Sequence, residues 1–452
     1  MLNKDYITKM LKLQDENLVI FDVCFSVKKQ NLLTYIFVKT AIPPKTCVLC
    51  GSNNIISKGY VIRTIKHNLI VGSFCIIKFH QRRFKCLDCS KSFNEKTKLI
   101  EKSKQLSQVQ IQAVLQECKN VCSFRSIAKK LNISTTTVIK IFRENVYVPP
   151  LPLTEVIGVD EFRGTTGISK YCFIIKDWLG NEIIDILSSR TQKSVEDYLK
   201  TVSKEEREQV KYIVMDLWKP YRTIFKFWFP KAKLIADKFH YTRLINDQFN
   251  RIRISFMNEV KNKLENESNY DKRNELEIDY YYLKKYWKII MEYDEHQENK
   301  EFYCYKLRKT ITKFDVLDRV LNLNPHLAEA YYLRNKFLKV IKTSTYETIE
   351  SNLKTWINEV CQSDVNEYNI AIRTLLNWKQ EMINSFIIHP TTGTPMNNAS
   401  TEGSNNFCKV IKRVSYGYKD FELMRARILY CNRKTMRFKS KSIKDRLNYE
   451  EK

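Results

Sequence analysis

Two Cys-x2-Cys pairs, Cys47/Cys50 and Cys86/Cys89, impose the tightest local constraint on how this chain folds. Two such knuckles place four thiolates at the corners of a tetrahedron with Zn–S bonds of about 2.3 Å, the closed arrangement of a structural zinc ion. The stretch leading into the second pair alternates like a strand (IIKFHQRRFKC), which suits a zinc ribbon over residues 41–97, behind an N-terminal segment of residues 1–40. Buried free cysteines are the bland alternative, and Cys75, His67 and His80 lie between the knuckles as substitute ligands. The odd total of 13 Cys, behind an N-terminus (MLNKDYITKM) without an apolar export signal, argues for thiols and metal ligands rather than disulfides. With no charge-free run of about 20 residues, no membrane span is expected and the location is expected to be cytoplasmic.

The charge of the chain is concentrated at its ends. Of 77 basic and 50 acidic side chains, residues 1–150 hold 25 and 9 and residues 401–452 hold 14 and 6, leaving the middle nearly neutral. A concentrated basic terminus is what phosphate binding needs, because each neutralised phosphate releases counterions, so nucleic acid is the expected partner. Arg82 and Arg83 in the ribbon are candidate contacts. Downstream, Leu106 to Glu117 and Ser123 to Phe142 read as helices, with Ser123 and Ser134 as N-caps and Ile127, Leu131, Val138 and Ile141 at helical spacing. The pattern fits a helix-turn-helix domain over residues 100–147, with Thr135, Thr136, Thr137 and Lys140 at the front of the recognition helix. An ordinary helical hairpin would show the same spacing.

Val148-Pro-Pro-Leu-Pro152 breaks the helix and marks a linker. Beyond it VIGVDEF (156–162), KYCFIIKD (170–177) and EIIDILSS (182–189) read as strands, then a helix at 194–200 and another strand, KYIVMD (211–216). Three strands in a meander, a helix and a fourth strand open an RNase H-like fold, a mixed sheet flanked by helices, over residues 154–249. Residues 250–395 read as a helical insertion, residues 396–432 as the last part of the core, and residues 433–452 as a basic tail. The fold class is therefore multidomain α/β.

Two strand runs end in an aspartate, Asp160 and Asp216. Side by side at the mouth of a mixed sheet they are hard oxygen ligands for Mg2+, although an aspartate at a strand end is equally a turn residue. Glu161 points to the opposite side if its strand continues. A third carboxylate, Glu402, opens a helix on which Asn406, Lys409 and Arg413 share its face, about 120° round from an apolar stripe of Phe407, Val410, Ile411 and Val414. Such a row can hold a metal at one end and follow a nucleic-acid backbone along the rest; a capped surface helix of mixed charge is the alternative. Lys219 and Arg222 follow Asp216 closely enough to hold a phosphate. Asp237 and His240 end a further strand run, KLIAD, where a supporting role and a structural one are both open. Trp218 fits core packing or a base-stacking platform, and the Tyr280-Tyr281-Tyr282 run fits helix packing.

VDEF, MDLWKPYR, ADKFHY and NNASTEGSNNFCKVIKRVSYGYKDFELMRARIL together resemble the DDE transposases of the ISL-three insertion-sequence family. The resemblance spans nearly the whole chain, from a ribbon closing in RRFKCLDC to the specific strings TEGSNN and KRVSYGYKDF, with Ser90 standing where a glycine is common. It implies that Asp160, Asp216 and Glu402 form a catalytic triad binding two Mg2+ ions, with Mn2+ as a substitute, and that Asp237 and His240 support it or position DNA. It further implies double-stranded DNA ends and target as partners, a homodimer in the synaptic complex, and a nucleoid-associated enzyme. The contrasting readings are a DNA-binding regulator or domesticated transposase without catalysis, and an RNase H-type nuclease acting on hybrids.

Overall fold

The computed structural model describes residues 11, 13, 15–28, 31–68, 72–100, 104–164, 166–293 and 299–434. The chain divides into two compact units: the first contains residues 1–150, 163–170 and 406 onward, the second residues 151–162 and 171–405. Most of the basic tail read over 433–452 lies outside the described residues.

In the first unit, β1 (Leu18–Lys28), β2 (Asn31–Thr40), β3 (Ile55–Lys66), β4 (Phe74–Cys86) and β5 (Ser92–Asn94) form one sheet in the order β1-β2-β4-β3, with β5 on β4. The segment read as preceding the ribbon thus supplies two strands of the same sheet, and β2 runs parallel to β4. Strict alternation in β2 and β4 sends Ile36, Val38, Cys75, Ile77 and Phe79 to one face, where they pack with Ile20 and Ile65. Cys75 and His67 are therefore not zinc ligands. Burial pushes the Cys75 thiol up to about 12, and buried His67 holds Ser107 Oγ at 2.8 Å from Nδ1.

Three short helices follow, α1 (Gln108–Glu117), α2 (Phe124–Lys130) and α3 (Thr135–Asn145). Each starts at a serine, Ser107, Ser123 or Ser134, whose hydroxyl accepts a backbone N–H of the first turn. The turn between α2 and α3 places Asn132 at φ 51, a left-handed conformation that asparagine tolerates. Helix Phe421–Asn432 completes this core from the far end of the chain. Its Tyr430 ring lies 5.5 Å from that of Phe142, and its buried Arg427 donates to the carbonyls of Asn120 and Cys122 at 2.9 and 3.0 Å.

The second unit holds β6 (Val156–Arg163), β7 (Tyr171–Asp177), β8 (Ile183–Leu187), β9 (Tyr212–Met215) and β10 (Lys233–Ala236) in the order β10-β9-β6-β7-β8. β6, β9 and β10 are parallel, and β8 is antiparallel to β7. Ile157 and Val159 face α4 (Gln192–Thr201) and α6 (Lys219–Trp228) through Val195, Leu199, Tyr221 and Phe225, while α5 (Lys204–Glu208) lies in the connection to β9. Val156, Val214 and Ile235 face the other way, against Met396.

Helices α7 (Lys238–Asn266), α8 (Tyr270–Lys285), α9 (Trp287–Met291), α10 (Lys313–Asn322), α11 (Pro325–Thr343), α12 (Ile349–Gln362), α13 (Tyr368–Asn377) and α14 (Lys379–Asn384) follow and share one apolar core. The sequence reading of this region as almost pure helix missed a hairpin, β11 (Glu301–Cys304) with β12 (Lys309–Thr312), whose turn holds Arg308 at φ 51. Tyr282 is buried beside Tyr286, in keeping with helix packing. No helix among the described residues is long and apolar enough to cross a membrane.

Candidate active site

α15 (Ala399–Val414) approaches the sheet at Gly158, the β6 residue two before Asp160. A Cβ on Gly158 would stand 2.2 Å from Thr401 Oγ1, so only glycine admits the helix this close. Two strand residues advance about 6.6 Å and four helical residues about 6 Å, so the next turn of the helix arrives over Asp160. There Asn405 Nδ2 donates to Asp160 Oδ2 at 2.5 Å and to the Glu161 carbonyl at 3.1 Å. Seven residues earlier, Asn398 Nδ2 donates to Asp216 Oδ1 at 2.9 Å, an oxygen that also lies 3.1 Å from His240 Nε2. Two buried amides, two helical turns apart, therefore hold Asp216, just past the end of β9, and Asp160, which lies inside β6 rather than at its end as the sequence suggested.

The buried face of α15 differs from the one its apolar residues suggest. Thr401, Ser404, Asn405, Cys408, Ile411 and Lys412 are buried, whereas Val410 is exposed and Phe407 and Val414 are half-buried. Polar partners on the strands, not the apolar stripe, fix the phase of this helix. Glu402, Asn406, Lys409 and Arg413 stay exposed along one side. Reading the sequence for charge singled out Asn406 and passed over Asn398 and Asn405; the symmetric Asn pairs flanking ASTEGS were the available signal.

Burial pushes the Asp160 carboxyl up to about 7, with the negative charges of Asp216, Glu161 and Glu402 adding to the effect and the Glu161 N–H opposing it. Asp237 is raised as well, by burial first, and His240 is raised chiefly by its bond to Asp216. One ligand atom each from Asp216, Asp237 and His240 lies within 4.8 Å of the others, a set that could hold a metal ion. Among the described residues Asp160, Asp216 and Glu402 are not gathered that closely. Glu161 points to the opposite face of β6, bonded to Arg190 and to Tyr221 Oη at 2.7 Å. Carboxylates and amide oxygens suit a hard divalent cation, and the buried oxygens Asn398 Oδ1, Thr401 Oγ1 and Asn405 Oδ1 have no partner among the described residues.

The remaining candidates fall into two groups. Arg222 Nε donates to buried Glu381 at 2.8 Å and its guanidinium stacks 4.9 Å from the Trp378 ring centre, so its charge serves an internal pair. Arg82 likewise donates to the Thr40 carbonyl at 2.9 Å. Lys219, Arg83, Thr136 and Lys140 are exposed. Thr135 and Thr137 are half-buried, and the Thr137 hydroxyl lies 2.7 Å from Ser134 Oγ at the start of α3. Trp218 packs edge-on against Tyr221 with centroids 4.4 Å apart and carries Arg190 over its ring.

Cys47, Cys50, Cys86 and Cys89 converge, one sulfur from each lying within 4.8 Å of the rest. The Cys47–Cys89 and Cys50–Cys86 sulfur separations are 3.8 and 3.6 Å. Bonds of about 2.3 Å in a tetrahedron give edges of about 3.8 Å, so the four sulfurs fit a zinc ion. Ser90 follows at φ 58, a left-handed position that glycine adopts most readily.

The fold thus combines a mixed sheet bearing buried and half-buried carboxylates with a four-cysteine cluster that fits a zinc ion. Residues 157–428, more than half of the chain, match the ISL-three DDE family model, described as transposase, and the chain belongs to that family of insertion-sequence transposases. Over 397 residues it is 20% identical to the transposase for insertion sequence element IS1001 of Bordetella parapertussis, covering 86% of this chain and 88% of that protein. Over 132 residues it is 27% identical to an ATP-dependent protease of Lactococcus lactis subsp. lactis, covering 29% of this chain and 39% of that one. Among solved structures it is similar to the Drosophila P element transposase strand transfer complex at 10% identity and a TM-score of 0.34, covering 74% of this chain and 93% of that one.

Proposed function

We propose that the protein binds the terminal inverted repeats of its own element and cuts and joins DNA there, with Asp160, Asp216 and Glu402 as the metal-holding acids. The observation that carries this reading is the Asp160 carboxyl, buried and raised to about 7 among Asp216 and Glu402 in a transposase chain. A buried carboxyl raised further by neighbouring negative charge calls for a cation. The meander β6-β7-β8, the helix and then β9 support an RNase H-like reading of the core, with α7 to α14 inserted before the helix of the last acid.

Bound Mg2+, or Mn2+ in its place, would supply activation of water or a 3′-hydroxyl and stabilisation of the leaving oxygen. Asn405 orients Asp160 by occupying Oδ2, and the Glu161 N–H occupies Oδ1 at 2.7 Å. Asn398 and His240 both act on Oδ1 of Asp216, which leaves Oδ2 clear for a ligand among the described residues. Glu402, exposed on the first turn of α15, joins from the solvent side, and Asp237 supports His240. The four-cysteine module would carry structural zinc, and the front of α3, with Arg83, Lys219, Lys409 and Arg413, would meet phosphates and base edges. Two element ends in one complex call for two copies of the chain.

The test is cleavage of element-end DNA with Mg2+ by Asp160→Asn, Asp216→Asn and Glu402→Gln. Each is expected to lose activity by at least about 100-fold while retaining end binding. Unchanged cleavage by all three would remove the assignment, and end binding without cleavage by the parent chain would favour a regulator.

A further inference from the structure

The N-terminal sheet packs its core on one face, and the opposite face is built in an unusual way for a solvated sheet. Such faces are ordinarily polar. Here the His80 ring on β4 sits among three others, with centroid distances of 5.0 Å to Phe21 on β1, 6.2 Å to Phe37 on β2 and 6.1 Å to Tyr60 on β3. Tyr60 is 57% exposed and Phe21 40%. Both edge strands break register beside these rings: β1 shifts between Ile20 and Asp22, and β3 between Ser57 and Tyr60. A bulge re-aims a side chain, so two separate backbone irregularities turn an aromatic ring onto the same open face.

Charge identifies what the face suits. Lys39 Nζ lies 5.6 Å from the Phe21 ring centre and Lys78 Nζ 6.0 Å from that of Tyr35, while Asp22 pairs opposite Phe37. The first 150 residues carry 25 basic side chains against 9 acidic. A second copy seated on the same face would bring cations onto cations, whereas a polyanion complements them. Aromatic rings interleaved with lysines recognise bases whose faces are free to stack, which a duplex hides.

We propose that this open face binds single-stranded DNA, with Tyr60 and Phe21 stacking on bases and Lys39 and Lys78 holding the backbone. The surface uses no residue of the α3 helix or of the carboxylate cluster, and it does not depend on the catalytic reading. It would let the protein hold a strand laid bare near an element end.

Fluorescence anisotropy of the full-length, zinc-loaded protein with labelled oligo(dT) of about 20 nucleotides, beside a random-sequence hairpin duplex, tests this. Tyr60→Ala is expected to weaken oligo(dT) binding by about 5- to 100-fold and duplex binding by less than about twofold, with Tyr60→Phe retaining parental affinity. Lys39→Gln with Lys78→Gln should lower the salt slope for oligo(dT) by about 1.4. Should Tyr60→Ala fail to fold, Phe21→Ala and the lysine pair carry the same comparison. Unchanged oligo(dT) affinity, or equal losses for duplex and single strand, would overturn the proposal. So would a change of sedimenting mass in the aromatic variants, which would make the face an interface between copies.

Discussion

At the scale of single residues, Asp160 links the candidate site to pH. Its carboxyl lies near 7 in the folded chain, against about 3.9 for an unperturbed aspartate, so the folded state binds the proton more tightly than the unfolded one. The stabilisation this gives is complete below about pH 4 and is lost as pH rises through about 7. Without added Mg2+, thermal midpoints of the parent should therefore fall relative to those of Asp160→Asn between these values. A difference independent of pH would contradict the raised carboxyl. Asp160 and Asp216 were legible in the sequence because each follows an apolar run, although β6 continues past Asp160 to Arg163. For Asn398 and Asn405 the paired asparagines were a signal but not their roles, because whether an amide on a helix faces water or a carboxylate depends on what the helix packs against. The same limit hid the internal pairing of Arg222 with Glu381.

At the scale of elements, the glycine in VIGVDEF sets how near α15 can come to β6. Gly158→Ala should destabilise the second unit by about 1–3 kcal/mol, because its methyl would overlap Thr401 Oγ1. Thr401→Ala removes that hydroxyl, so the double variant should recover part of the loss in urea unfolding. Purely additive costs would mean the two residues do not meet. The β-rich runs from 156 to 236 and the serine-capped helices were legible, since alternation, helical spacing and caps are local. The parallel pairing of β2 with β4 was not, because it joins strands more than thirty residues apart and leaves no local pattern. The β11–β12 hairpin was hidden by its brevity: four-residue strands between long helices carry too few positions for a period to emerge.

At the scale of the whole molecule, the N-terminal helices and the Phe421–Asn432 helix depend on each other. Arg427→Ala leaves the carbonyls of Asn120 and Cys122 without their donor in a buried setting, at a cost of about 1–3 kcal/mol. Hydrogen exchange in α1 to α3 should speed up in this variant while strands β6 to β10 keep their protection. Equal acceleration everywhere would indicate that the two units unfold as one. Charge counted along the chain marked both ends as basic, and the fold shows that both ends build the same unit.

That shared unit also imposes an order of events on synthesis. The ribosome releases residues 108–145 long before residue 430, and at about 5–20 residues per second roughly a quarter of a minute to a minute separates them. During that interval Phe142 lacks the ring of Tyr430 and the turn at Asn120 lacks Arg427. A nascent chain therefore cannot present its finished helical module until translation is almost over. Premature termination should leave products whose N-terminal helices are incompletely packed and open to proteolysis, so that a broken copy of the gene yields little competent competitor for the intact protein.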